Sequence, residues 1–295
     1  MSFDFHAELI DRYDELKYSL LKAQTFDECH FGFPSIYHQI MVSDDVRVKA
    51  FKDAFDMYDF TDKVVCEAGV GTLVLTQHFL PQVKKAYLIE SDPNLIGFIQ
   101  SEIKKHGWEH KVEVIFGDAM NVSLPEPVDY VVGELMSIYC ANEYQVQIFA
   151  NLRQYLKPDG KLLPEYITNV VQLVHAEFDH GYTHYPINFT RHYPEQLTMQ
   201  SVVNVIDLYQ ERPGLVTREL ELTPLVSGEV NAVLMYSFIQ VAKGCNFTGT
   251  DSLMPPTVCK LDQASTVQRG QPVKLRASFS YGTSLDEASF RVIES

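Results

Sequence analysis

Glu134 and Glu143 stand nine residues apart in Val131-Val132-Gly133-Glu134-Leu135-Met136-Ser137-Ile138-Tyr139-Cys140-Ala141-Asn142-Glu143. The first closes an apolar run, Tyr130 to Gly133, that reads as a buried strand, and the second precedes a predicted helix. Carboxylates at the exit of a core strand sit where open α/β sheets keep their chemistry. A facing pair suits a cationic, planar group such as a guanidinium, which offers a fork of donors. The plainer alternative is that one glutamate is solvated and the other charges a helix start. Glu143 is the more exposed to that reading, because an acid in a first helical turn is common.

A second constellation lies upstream, in Val64-Val65-Cys66-Glu67-Ala68-Gly69-Val70-Gly71-Thr72. Gly69 and Gly71 permit a tight turn and close backbone approach to a nucleotide, with a helix start behind them. Glu90, at the end of the next predicted strand, is placed to accept from two ribose hydroxyls. A dinucleotide loop calls for a third glycine where this chain has Leu73, and needs no acid at the first strand's end. S-adenosylmethionine carries a sulfonium and an ammonium, so Glu67 suits it. Gly117-Asp118-Ala119, closing the third strand, adds a carboxylate placed to accept from an adenine amino group, and Asp118 and Ala119 are expected to bind the cofactor. These residues predict S-adenosylmethionine rather than NAD as the nucleotide.

Short strands and helices alternate around these residues. Strands are predicted at 63–67, 86–90, 112–116 and 128–133, and helices at 72–80, 93–106 and 142–156. That alternation implies a parallel sheet with right-handed crossovers. Ahead of it, Leu9, Tyr13, Leu16 and Leu20 mark an amphipathic helix. A further helix is expected from Ser43 as N-cap, with an apolar stripe of Val46, Ala50, Ala54 and Tyr58. Lys157-Pro158-Asp159-Gly160 reads as a turn. Beyond Pro164, runs at 167–175, 202–208, 230–241, 257–261 and 273–281 are β-rich, so a second, mostly antiparallel domain is expected from 165 to 295. The expected division is N-terminal helices over 1–60, a Rossmann-like domain over 61–164 and a β-barrel-like domain over 165–295. Residues 177–199, rich in His, Tyr and Pro, read as a protruding arm.

Composition narrows the function. Thirty-nine acidic against twenty-four basic residues, a net charge of −15, disfavour nucleic acid or an anionic membrane as partner. Five cysteines without a C-x-x-C pair read as reduced thiols, and no apolar leader or membrane-length stretch is evident, so a cytoplasmic location is expected. His175, His180, His184 and His192 lack metal-site spacing, and no metal is expected.

Together these residues resemble the protein arginine methyltransferases over nearly the whole chain. Glu134-Leu135-Met136 through Glu143 is similar to that family's double-glutamate loop. Leu156 to Gly160 with Pro164 resembles the segment joining its Rossmann half to its barrel half. His38, Met41 and Asp45-Val46-Arg47 resemble the helix that folds over the cofactor. The resemblance implies that Arg47 pairs with the cofactor carboxylate, that His38 and Met41 line its methionine end, and that the chain forms a homodimer through an arm. Three departures stand out. Glu28-Cys29-His30-Phe31-Gly32 replaces a Tyr-Phe-x-x-Tyr pattern, Leu135 replaces a tryptophan, and Ser252-Leu253-Met254 replaces Thr-His-Trp. The acceptor side is therefore altered while the cofactor side matches. The expected activity is methylation of a guanidine or amine nitrogen, in arginine or a small molecule, held by Glu134 and Glu143. The alternatives are methylation of oxygen or carbon in a small polar metabolite, and a catalytically silent partner subunit.

Overall fold

The computed structural model describes residues 44–178, 181–187, 193–248 and 254–293. His38 and Met41 lie outside them, as do the predicted helix over 9–20, Cys29, His180 and His192.

Helix α1 (Asp45–Asp56) is capped by Asp44, whose carboxylate accepts from the Arg47 amide at 3.1 Å. The cap is thus one residue later than the Ser43 expected from sequence. The stripe also differs. Arg47, Ala50, Phe51, Ala54 and Phe55 are buried, whereas Val46 is 60% exposed. The inward face carries Phe51 and Phe55, which pack on Phe247, Phe60 and Phe79, and Arg47 on the same face pairs with Asp44 and Glu134. Phe55 and Phe60 meet edge-on, Phe60 stacks on Tyr130, and Phe51 reaches Phe247 of the second half.

Strands β1 (Val64–Ala68), β2 (Lys85–Glu90), β3 (Val112–Phe116), β4 (Val128–Gly133) and β5 (Leu156–Leu163) form a parallel sheet in the order β3-β2-β1-β4-β5. β1 is buried at every position, Glu67 included, as expected of a mostly apolar strand covered on both faces. Helix α2 is only Thr76–Phe79, shorter than the expected 72–80, because Leu73 takes a left-handed φ of 65° that helical backbone excludes. Helix α3 (Pro93–Lys105) has Pro at its start, Asp92 as cap and two lysines in its last turn. Helix α4 is Gln145–Leu152, extended by a 3-10 turn over Arg153–Tyr155. The turn expected at 157–160 lies within β5, where the register against β4 jumps from Leu156 to Lys161.

The second half is antiparallel. β6 (Tyr166–His175) and β11 (Gly228–Ala242) form the centre of a seven-stranded sheet. β13 (Thr257–Val267) and β7 (His184–Pro186) continue it on one side, β8 (Glu195–Gln196) on the other, while β9 (Ser201–Asp207) pairs with β6 and β12 (Cys245–Thr248) with β11. β10 (Leu215–Leu222), β14 (Val273–Ser280) and β15 (Ser289–Ile293) make a smaller sheet. The two curl into a half-barrel beside the parallel sheet. An α/β Rossmann-like sheet followed by an antiparallel barrel-like part is the architecture expected from sequence. The described parts of 177–199 pair into this sheet through β7 and β8.

Candidate active site

Strand order reverses at β1, whose neighbours β2 and β4 continue in opposite directions, so a crevice opens at their carboxyl ends. Glu67 lies on β1, Glu90 ends β2, and Glu134 follows β4 directly. Sequence-distant carboxylates thus converge on one edge of the sheet.

Gly69 and Gly71 both have left-handed φ, 66° and 51°. A Cβ on Gly69 would meet Leu135 Cδ2 at 2.5 Å, so the glycine loop and the double-glutamate loop are in direct contact. Leu135 therefore packs on the glycine loop. Leu73, at the third-glycine position, is itself left-handed, a conformation costing about 1–2 kcal/mol for a side-chain-bearing residue.

Glu90 is buried and accepts three backbone amides. Gly71 donates to Oε2 at 2.9 Å, and Ser91 and Asp92 donate to Oε1 at 2.8 and 2.9 Å. This carboxylate is aimed by the loop that it also holds closed. Asp118 Oδ1 accepts from the Met120 amide at 2.9 Å and Oδ2 from Asn121 Nδ2 at 2.7 Å, and the Ala119 carbonyl accepts from Asn151. Both shape the turn after β3.

Glu67 is 2% exposed, and Thr76 Oγ1 donates to its Oε2. Burial pushes its carboxyl up to about 8; the Thr76 hydrogen bond opposes this and the charge of Glu90 adds to it. Folding therefore takes up a proton at Glu67 that the unfolded chain releases near its ordinary value of 4.5. Its contribution to stability falls as pH rises from there through about 8. Glu67→Gln keeps an acceptor for Thr76 and removes this penalty. The expected result is a Tm above wild type at pH 8 and nearly equal at pH 5, read by calorimetry of both proteins across that range.

Arg47, 4% exposed, donates from Nη1 to Glu134 Oε2 at 2.7 Å, and its Nη2 lies 3.2 Å from Asp44. Burial alone would lower its pKa, but Glu134, Asp44 and Glu143 outweigh that and hold it above the ordinary value. The structure thus places on Glu134 the cation expected at the cofactor carboxylate. Gln145, fully buried, straddles the same glutamate. Its Oε1 accepts from the Leu135 amide at 2.9 Å, and its Nε2 donates to the Gly133 carbonyl at 3.2 Å. Glu143 is near enough to feel both charges. Burial first, then Glu134, push its carboxyl up to about 8, while Arg47 pulls it down.

Asp44 reads from sequence only as an acid suiting a helix start, and Thr76 and Gln145 were not singled out by sequence reasoning. The only cue for each of these two was a polar residue in a segment bound to be buried. Among the described residues, no cluster of three or more His, Cys, Asp or Glu side chains is arranged to hold a metal. Cys140 is buried and its thiol is raised by that burial.

Residues 65–160, from the glycine-loop strand through β4 to the bulge of β5, match the methyltransferase domain family. The chain carries a class I, S-adenosylmethionine-dependent methyltransferase domain. An uncharacterised protein of Methanocaldococcus jannaschii is 27% identical over 252 residues, covering 85% of this chain and 94% of that protein. The histone-arginine methyltransferase CARMER of Drosophila ananassae is 33% identical over 138 residues, 45% of this chain but only 25% of that protein. In fold, the PRMT1 enzyme–prozyme heterotetrameric complex of Trypanosoma brucei with AdoHcy superposes with a TM-score of 0.66 at 18% identity, covering 81% of this chain and 86% of that one. Arabidopsis thaliana protein arginine methyltransferase 10 gives 0.67 at 15%, covering 87% and 97%. The methyltransferase therefore shares the two-part architecture of the arginine methyltransferases, with S-adenosylmethionine as its cofactor. Among the described residues, no helix is long and apolar enough to cross a membrane.

Proposed function

We propose that this methyltransferase acts on a guanidine or amine nitrogen held between Glu134 and Glu143. The observation that carries the reading is the Arg47 guanidinium seated on Glu134 at 2.7 Å, with Glu143 within electrostatic reach. A carboxylate that already receives one guanidinium through Oε2 has a second oxygen to receive another. The relatives named as arginine methyltransferases point to the same acceptor chemistry.

In this reading Glu67, Gly69, Gly71, Glu90, Asp118 and Ala119 hold the cofactor, with Arg47, His38 and Met41 at its amino-acid end. When bound, the cofactor supplies an electrophilic methyl group on a sulfonium. The protein's share is alignment and charge. Glu134 accepts from the acceptor's N–H groups and concentrates positive charge on the nitrogens it holds, which leaves the free nitrogen the better nucleophile. That nitrogen would take the methyl group, the bound cofactor leaving as the neutral thioether, and Glu143 would take up the proton that the nitrogen loses. With its pKa near 8, Glu143 is matched to proton uptake close to neutral pH. The altered positions 28–32, 135 and 252–254 shape the acceptor side, so a free amino acid or small guanidine is as acceptable as a protein arginine. We also read the protein as cytoplasmic and as a homodimer joined through 177–199, with the division of the chain at about 60 and 164.

The direct test incubates the protein with methyl-labelled cofactor and a panel of free arginine, agmatine, other amines and an arginine-rich peptide. Label on a nitrogen, located by mass spectrometry, is the expected outcome. Transfer to oxygen or carbon, or no transfer with the cofactor bound, overturns the reading.

A further inference from the structure

We propose that Ser237 on β11 and Asn169 on β6 are positioning residues for the Glu134–Glu143 loop, which they hold in its left-handed backbone form through a buried circuit of hydrogen bonds. The inference rests on the reading that the two glutamates bind the acceptor.

The loop is unusual in its backbone. Tyr139, Cys140 and Asn142 have φ of 57°, 53° and 60°, and none is glycine. Such residues persist only where their surroundings over-determine them. Here two sets of contacts do so. From the large sheet, Ser237 Oγ accepts from the Tyr139 amide at 2.9 Å, and the Tyr139 hydroxyl donates to the Val170 carbonyl at 2.9 Å. From the turn after β14, Gly282 donates to the Cys140 carbonyl at 2.8 Å, and the Thr283 carbonyl accepts from the Asn142 amide at 3.0 Å.

The two sets are joined inside the protein. Ser237 Oγ donates to Asn169 Oδ1 at 2.8 Å, Asn169 Nδ2 to Asn204 Oδ1 at 3.0 Å, and Asn204 Nδ2 to the Tyr281 hydroxyl at 2.9 Å. Tyr281 adjoins Gly282, so the path leaves the loop at Tyr139 and returns to it at Cys140. Every donor role follows from the one before. The Tyr139 amide can only donate, so Ser237 accepts there and spends its proton on Asn169. That orients the Asn169 amide, which orients Asn204 in turn. Asn169 is fully buried and Ser237 is 1% exposed, in strands otherwise filled by residues such as Val171, Met235 and Ile239. An apolar pair would serve the sheet equally well. A linked polar pair fixes a geometry, since a buried network gains from being complete and loses heavily when broken.

The test compares Ser237→Ala and Tyr139→Phe, each deleting one hydroxyl, with Glu134→Gln. Kinetics use free arginine and an arginine-rich peptide. In both hydroxyl variants, kcat is expected to fall about tenfold or more, as expected when reacting groups are misplaced by a fraction of an ångström. Affinity for S-adenosylhomocysteine should stay within about threefold of wild type, a change of under 1 kcal/mol. The acidic limb of the pH–rate profile should move down from about 8, as water reaches Glu143. Amide exchange across 134–143 should quicken while that of β1 and β2 does not, a readout that needs no acceptor. Variants with wild-type kcat, pH profile and loop exchange would overturn the proposal. So would loss of cofactor binding in both, which would show that the circuit holds the fold and not the loop. A failure of the underlying reading looks different, because turnover then survives Glu134→Gln.

Discussion

Replacing Glu134 by Gln is expected to lower kcat by about a hundredfold to a thousandfold, the usual loss when one preorganised electrostatic partner of the transition state is removed. The substitution preserves shape and one acceptor oxygen, and Gln145 still grips the backbone on both sides of residue 134. What is lost is the charge proposed to hold the acceptor's cation. The effect on the cofactor has the opposite sense. In wild type the Arg47 guanidinium lies 2.7 Å from Glu134 and, among the described residues, also 3.2 Å from Asp44. Neutralising residue 134 releases Arg47 toward a ligand carboxylate. Affinity for S-adenosylhomocysteine, measured by calorimetry, should therefore be equal to or tighter than wild type while turnover collapses. Unchanged turnover would remove the acceptor clamp, and a large loss of cofactor affinity would show that Glu134 serves the cofactor instead.

The rate should also report Glu143 directly. Its carboxyl is pushed up to about 8 by burial and by Glu134, so below that pH the proton-accepting form is the minority. Expected is a kcat/KM that rises about tenfold per pH unit up to about 8 and then levels. Glu143→Gln should abolish that limb and cut kcat by about 10²–10⁴, the usual range for a lost general base. A profile flat from pH 6 to 9 in wild type would exclude Glu143 as the proton acceptor. A retained limb in Glu143→Gln would assign it to another group. The same raised pKa destabilises the folded protein as pH rises from about 4.5 to about 8, so activity and stability should run in opposite directions across that window.

Much of the parallel half was legible because its signals are local. Val64 to Ala68 and Val128 to Gly133 are mainly apolar, broken only by Glu67 and Asp129, as suits a strand covered on both faces, and both lie where the pattern places them, to within a residue. Pro93 with Asp92 ahead of it marked a helix start by chemistry that needs no distant partner. The errors arose where a distant charge or backbone strain intervened. Val46 is exposed because the inward face is set by Phe51 and Phe55 together with Arg47, whose partner Glu134 is 87 residues away. The helix expected from Thr72 begins only at Thr76, because the loop needs a left-handed residue at Leu73. The stretch 157–160 has the residues of a turn yet bulges within a strand, since β4 on one side holds both of its ends.

From sequence alone came the fold class, the glycine loop with Glu67 and Glu90, and the spaced pair Glu134 and Glu143, each carried by residues close together in the chain. Tertiary structure decided what those residues meet. It brought Arg47 onto Glu134, wrapped Glu90 in three amides, laid Leu135 on Gly69 and anchored the left-handed loop to a strand nearly a hundred residues further on. The physical reason is that hydropathy and turn chemistry are written in neighbouring residues. The field at a carboxylate, and the burial that raises its pKa, are set by whatever the folded chain packs around it.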